Sequence, residues 1–165
     1  MKNKTDYPYE SIKDVYNQDQ KDREKMDWDS KKDVALIDKK DKERIEYARY
    51  LLDKGEITTK QDLFYAAMLF HHSENLSDLT IALSLSYLSI SMGYSDGKWL
   101  YARALDRLLL DIGHPQKFGT QFEEKDGKWF LCEYEKATTD EERKLYEVPP
   151  LDYQKNIRAK EIANE

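Results

Sequence analysis

A mainly α-helical fold, built as an antiparallel helical bundle or a short helix-pair solenoid with a C-terminal β-hairpin, is predicted by three features of the chain. Apolar residues recur at helical spacing through five successive segments that end near residue 113. Gly55, Gly93 and Gly113 stand just past the last periodic residue of a segment, where a helix C-terminus favours glycine. After Pro115 the mode changes, and two aromatic-bearing runs flank Asp126-Gly127, a strong hairpin signal.

Residues 1–9 read as a loose arm, because Pro8 and two tyrosines show no periodicity. From Ser11 to about Trp28 the pattern is helical but polar. Ile12, Val15, Tyr16 and Met26 are its few apolar anchors, so it belongs on a surface. Ser11 and Asp14 have the spacing of a capping box, with Asp in place of the usual Glu or Gln. A second helix is predicted from about Lys31 to Lys54. Val34, Ile37, Asp41, Ile45, Ala48 and Leu52 share one face, which therefore holds a carboxylate. The alternating Lys, Asp and Glu of residues 31–46 read as a solvated face with i,i+4 pairs.

Thr58-Thr59 offers an N-cap for a third helix, about Lys60 to His72. The fourth, about Ser77 to Met92, is apolar nearly all round and so reads as central. Asp96-Gly97 turns the chain into a fifth helix, Lys98 to Ile112. Short links make helices three to five consecutive antiparallel hairpins. Their alanine-rich faces (Ala66, Ala67, Ala82, Ala102, Ala104) resemble tetratricopeptide-type packing, without any repeat of fixed period. Lys117 to Glu123 and Trp129 to Tyr134 then read as two strands. A lone hairpin is barely stable, so this one must pack on the helices. Thr138-Thr139-Asp140 caps a short helix through Tyr146, Pro149-Pro150 breaks the chain, and a last polar helix runs from about Asp152 to Ile162.

At 165 residues one domain is expected, large enough to bury a core. Charged residues make up 36% against 39% apolar, which fits a small helical core under a solvated coat. The net charge of −6 lies wholly in residues 61–165, and no basic stripe is present, which argues against nucleic acid. A lone Cys132 excludes an internal disulfide and suits a reducing compartment. The N-terminus has no apolar signal run, and no segment reaches the ~18 apolar residues of a membrane span. A cytoplasmic protein with no membrane partner is expected.

The chemistry concentrates around helix five. Asp106 and Arg107 lie between the large apolar residues Trp99 and Leu110, so they cannot both face open water. The structural alternative pairs Asp106 with Arg103 and Arg107 with Asp111. His71 and His72 close helix three, where the helix end favours an imidazolium and general acid–base work becomes available. Gln116, Thr120 and Gln121 surround the joint between helices and hairpin, and Gly119 there suggests a bulge. His71, His72, His114 and Cys132 lack ligand spacing, and phosphate-binding glycine loops are absent, so neither metal nor cofactor is expected.

Asp19-Gln20 with Arg23, the run Ala67 to His72, the pair Asp106-Arg107, and Gly113 to Gln121 together resemble an uncharacterised bacterial domain family. That family carries a Gly-x-Pro-Gln-x-Tyr-Gly-Thr-Gln signature. Here Phe118 stands at the Tyr position and His71 at an expected Gln. The likeness spans most of residues 14–150. It implies a polar pocket formed by His72, Asp106, Arg107, Gln116, Thr120 and Gln121, and brings no activity with it.

Three functions fit these observations. The first is a binding module for a small polar ligand or peptide held between helices and hairpin, with Arg107 on a carboxylate and Gln121 on an amide. The second is a hydrolase or transferase with His72 as general base, Asp106 orienting it and Arg107 steadying negative charge. The third is an inhibitory or immunity-like protein acting through an acidic face that displays Tyr7, Tyr9 and Trp28.

Overall fold

A computed structural model describes residues 4–162 and has the expected mainly α-helical architecture with a two-stranded hairpin near its C-terminal end. The chain divides into two compact units, Met1–Tyr94 and Ser95–Glu165. Helix five thus belongs with the hairpin and not with the four helices before it. Among the described residues no helix is long and apolar enough to cross a membrane.

The first unit holds α1 (Ile12–Glu24), α2 (Lys31–Asp53), α3 (Lys60–His71) and α4 (Leu76–Ser91). Ser11 caps α1, its hydroxyl accepting from the Asp14 amide at 3.2 Å. Gly55, at φ +68°, closes α2 as the Glu56 amide reaches back to the Leu51 carbonyl at 2.9 Å. Thr59 and Asp62 form a reciprocal capping box that starts α3.

The central helix is α3, not α4. Every residue from Ala66 to His71 is buried. On α4, Leu79, Ala82, Leu85, Ser86 and Ser89 are buried, while Leu76, Tyr87 and Leu88 stay exposed. On the outer face the Thr80, Ser84 and Ser91 hydroxyls satisfy themselves locally, donating to carbonyls four residues back.

The N-terminal arm is packed and not loose from Tyr7 onward. Tyr7 and Tyr9 are buried against α2, their rings 4.9 and 5.5 Å from that of Tyr47, and the Tyr47 hydroxyl donates to the Tyr9 carbonyl at 3.2 Å. Residues 1–3 of the expected arm lie outside the described residues. Of the three aromatics assigned to an interaction face, only Trp28 is exposed.

The second unit holds α5 (Gly97–Asp111), β1 (Phe122–Lys125), β2 (Lys128–Leu131) and α6 (Asp140–Leu145). A last helical stretch follows, α7 (Leu151–Tyr153) and α8 (Ala159–Ile162), joined by a π-helical turn over Gln154–Arg158. Asp126 and Gly127 both have positive φ, as a type I′ turn requires, and Lys125 pairs with Lys128 across it. The predicted first strand begins five residues late. Residues 117–121 fold as a loop because their amides find a carboxylate instead of a neighbouring strand. Ala102, Phe118 and Val148 form the core here, with Tyr101, Leu105 and Tyr146 around them. Arg143 is fully buried and donates to the Phe118 and Thr138 carbonyls at 2.9 and 2.8 Å, tying α6 to the loop.

Candidate functional site

Asp106 is fully buried on the loop side of α5. Its Oδ1 accepts from the amides of Lys117 and Phe118, both at 2.7 Å, and its Oδ2 from the amide and hydroxyl of Thr120, both at 2.9 Å. Burial pushes this carboxyl up, against the pull of those four hydrogen bonds. Arg103 is not among the donors, so the expected Asp106–Arg103 pair is not formed. The role of Asp106 is to fold the 117–120 loop.

Gln116 is similarly committed. Its Nε2 donates to the carbonyls of Gln121 and Cys132 at 3.0 and 3.1 Å, and its Oε1 accepts from the Gln121 amide at 2.9 Å. A fully buried amide with these bonds is a strap between loop and hairpin, and the expected ligand contact moves elsewhere. Thr120 spends its hydroxyl on Asp106. Gln121 donates Nε2 to Thr120 Oγ1 at 3.1 Å and to the Arg103 carbonyl at 3.4 Å, while its Oε1 accepts no hydrogen bond from the described residues.

Beside this loop the second unit opens a cavity of about 540 Å³, within the range of small-molecule sites. Thr120 and Gln121 line it together with Trp99 and Arg103 from α5, Trp129 from β2, and Gln154 and Arg158 from the π-helical turn. Arg107 is not part of the lining; Arg103, one turn earlier, takes that position.

Arg103 is unusual among the cations of this unit. Its guanidinium carbon lies 4.6 Å from the centre of the Trp99 ring, and no carboxylate of the described residues pairs with it. Burial lowers its pKa, and the positive charges of Arg158 and Arg107 lower it further, with Asp106 only partly offsetting them. The remaining lining cation, Arg158, has Glu161 at 3.3 Å.

Gln154 lines the same cavity. It is 5% exposed, and its side-chain amide makes no hydrogen bond to any described residue. It opens the π-helical turn, a form that recurs at functional sites.

The first unit gathers a separate charged cluster. Asp19, fully buried on α1, receives Arg23 Nε and Arg44 Nη1 at 3.1 Å each. Arg23 Nη2 reaches Asp41 at 2.5 Å, and Arg44 also bonds Asp22 and Asp41. Asp41 lies on the inward face as its place in the apolar stripe implies, whereas Arg44, from the run read as solvated, is interior because it meets the charges of α1. His72 caps α3 with Nδ1 buried, 3.4 Å from Asp19 Oδ2 but without hydrogen-bond geometry. Burial would raise the Asp19 carboxyl, yet His72, Arg23 and Arg44 hold it below its ordinary value.

The imidazole and Asp41 open onto a cleft of about 530 Å³ that is also lined by Asp38, Ser73, Asn75 and Asp78. Single ligand atoms of Asp19, Asp41 and His72 lie within 4.8 Å of one another. Both carboxylates already carry guanidinium groups, so their charge is met without an ion.

Sequence reasoning thus located the loop but missed the cavity's own charge. Trp99 and Arg103 stand at i and i+4, the spacing that puts a guanidinium over a ring on one helix face, and that was the available signal. Gln154 gave none, since a π-helical turn has no readable pattern. No family model, curated protein or solved structure matches this chain, so the two sites are read from their own chemistry.

Proposed function

We propose that this chain is a binding module that takes a small anionic ligand into the cavity of its second unit. The single observation behind this reading is the Arg103 guanidinium, half-buried over Trp99 with no carboxylate paired to it among the described residues. A desolvated cation without a counter-ion is costly, and an anionic group entering the cavity would supply the missing charge through short, charge-assisted hydrogen bonds. Arg158 adds to the positive field. Gln121, whose Oε1 accepts no hydrogen bond among the described residues, orients the polar remainder.

Titration with a panel of small phosphates and carboxylates, followed by calorimetry and by the indole N–H signals, tests this. Trp99 and Trp129 line the cavity while Trp28 stands in the other unit, so two indole signals should move and one should stay. Arg103→Gln should abolish the response. A panel that leaves all three indoles unmoved would remove the reading.

A second reading is favoured by one contact. His72 lies against Asp19 at a cleft, so a hydrolase or transferase reading keeps His72 as general acid–base, with Asp19 instead of Asp106 as the orienting carboxylate. Hydrolysis of a generic ester or phosphoester panel that is lost in His72→Asn but kept in Arg103→Gln would select it over the binding module.

A further inference from the structure

The charge of Arg103 accounts for one end of a ligand. The rest of the cavity describes the other end. Two indoles and a phenol line it: Trp99, Trp129 and Tyr153. One face of Trp99 is taken by the Arg103 guanidinium, which leaves the rings of Trp129 and Tyr153 available to a flat partner. Tyr153 is steadied by its hydroxyl, which sits 3.0–3.1 Å from both carboxylate oxygens of Glu161. Aromatic walls of this kind favour a ligand with a π-face, because a ring stacks on any flat partner.

Gln154 adds a requirement that an aliphatic acid does not meet. It is 95% buried by exposure, lines the cavity, and has an amide with no hydrogen-bond partner among the described residues. The amide's hydrogen-bonding groups are unclaimed among the described residues, so a ligand edge in the cavity can take them. A carboxamide presents a donor and an acceptor side by side. The complementary shape is a planar edge with an adjacent acceptor and donor, as on a purine ring.

Resting on the reading that the cavity binds an anion, we infer that its ligand is a planar heteroaromatic ring bearing an acid group. The acid lies on Arg103, the ring edge on the Gln154 amide, and the ring face against the aromatic wall. This chemistry occurs in nucleoside monophosphates and in heteroaromatic carboxylates. The cavity volume of about 540 Å³ admits either.

Calorimetry with adenosine 5′-monophosphate, adenosine, inorganic phosphate and orotate separates the contributions. One of the two ring acids should bind at least about tenfold more tightly than phosphate or adenosine, a difference of about 1.4 kcal/mol. Whichever of adenosine 5′-monophosphate and orotate is tighter names the source. Gln154→Leu, which is close to the side chain in size, should weaken ring-acid binding severalfold and leave phosphate itself unchanged. Gln154→Glu, which replaces the donor with a second acceptor and a negative charge, should weaken every anion.

Binding of phosphate that Arg103→Gln abolishes, with ring acids no better than phosphate or with Gln154→Leu without effect, overturns this inference and leaves the anion-binding reading standing. Absence of any anion binding overturns both. Near-ultraviolet circular dichroism of each variant excludes loss of fold as the cause.

Discussion

Asp106 and Thr120, fourteen positions apart, are joined twice: the threonine amide and the threonine hydroxyl both donate to the same carboxylate oxygen at 2.9 Å. With the Lys117 and Phe118 amides on the other oxygen, one buried side chain sets the conformation of the whole loop. Hydrogen bonds to a charged acceptor contribute about 1.5–3 kcal/mol each, and buried donors left without an acceptor cost as much again. Asp106→Ala should therefore lose at least about 3 kcal/mol in urea denaturation. Asp106→Asn, which keeps one acceptor oxygen and turns an NH₂ towards donors, should lose nearly as much. Amide exchange should rise first at residues 117–120, and exchange spread evenly over the second unit would contradict this role.

Arg103 should behave in the opposite sense. Its charge lies half-buried beside Trp99 with no carboxylate paired to it among the described residues, so it is held at a cost to the fold. Arg103→Met, which retains the packing on the indole and removes the charge, should leave thermal stability unchanged or raise it by about 1 kcal/mol. A melting temperature that falls sharply would mean that the guanidinium is a structural tie.

Acid should act chiefly on the first unit. Asp19 and Asp22 are held below the ordinary carboxylate value, Asp19 by His72, Arg23 and Arg44 and Asp22 by Lys40 and Arg44, in each case against the effect of burial. A depressed carboxylate contributes stability that is complete above its unfolded value of about 3.9 and is lost as pH falls through the lower folded value. Stability should therefore drop below about pH 4. Asp19→Asn, which breaks a buried pair, should cost about 3–5 kcal/mol at neutral pH and far less in strong acid. Parallel stability curves for the two proteins down to pH 2 would refute this.

Gly119 sits at φ +85° within the loop that Asp106 holds. An added Cβ would meet Leu131 and Leu151 side-chain atoms only at ordinary contact distances, 3.7 and 3.8 Å. The penalty for Gly119→Ala is thus backbone strain, about 1–2 kcal/mol, with no crowding term. Gly119→Val should cost more because branching at Cβ restricts that backbone region further, and equilibrium denaturation of the pair checks the order.

Local chemistry was legible in the chain, and long-range partnership was not. The capping of α3 by Thr59, the turn at Asp126-Gly127 and the helix ends at Gly55, Gly93 and Gly113 depend on neighbours within five residues, so their residue types suffice. The importance of Asp106 was readable from its place between Trp99 and Leu110. Its partners were not, because a carboxylate among apolar residues can satisfy itself with arginine, histidine or backbone amides alike. The chain chose amides.

His72 illustrates the same limit from the other side: its carboxylate is Asp19, more than fifty residues upstream, on a helix whose polar pattern suggested only surface. Arg44 was hidden in the same way, since an alternating run of charges looks solvated until another helix brings matching charges to it.

The π-helical turn at Gln154–Arg158 carries one more residue than an α-turn would. Everything beyond it is rotated by roughly 100° from where an uninterrupted helix would place it. Removing a single residue there would restore a straight helix and swing Arg158, Glu161 and Ile162 away from the cavity wall, while Trp99, Arg103 and the hairpin kept their places. One codon's length of chain is thus enough to redraw one wall of this recess, so its selectivity can drift by insertion or deletion without the fold being rebuilt.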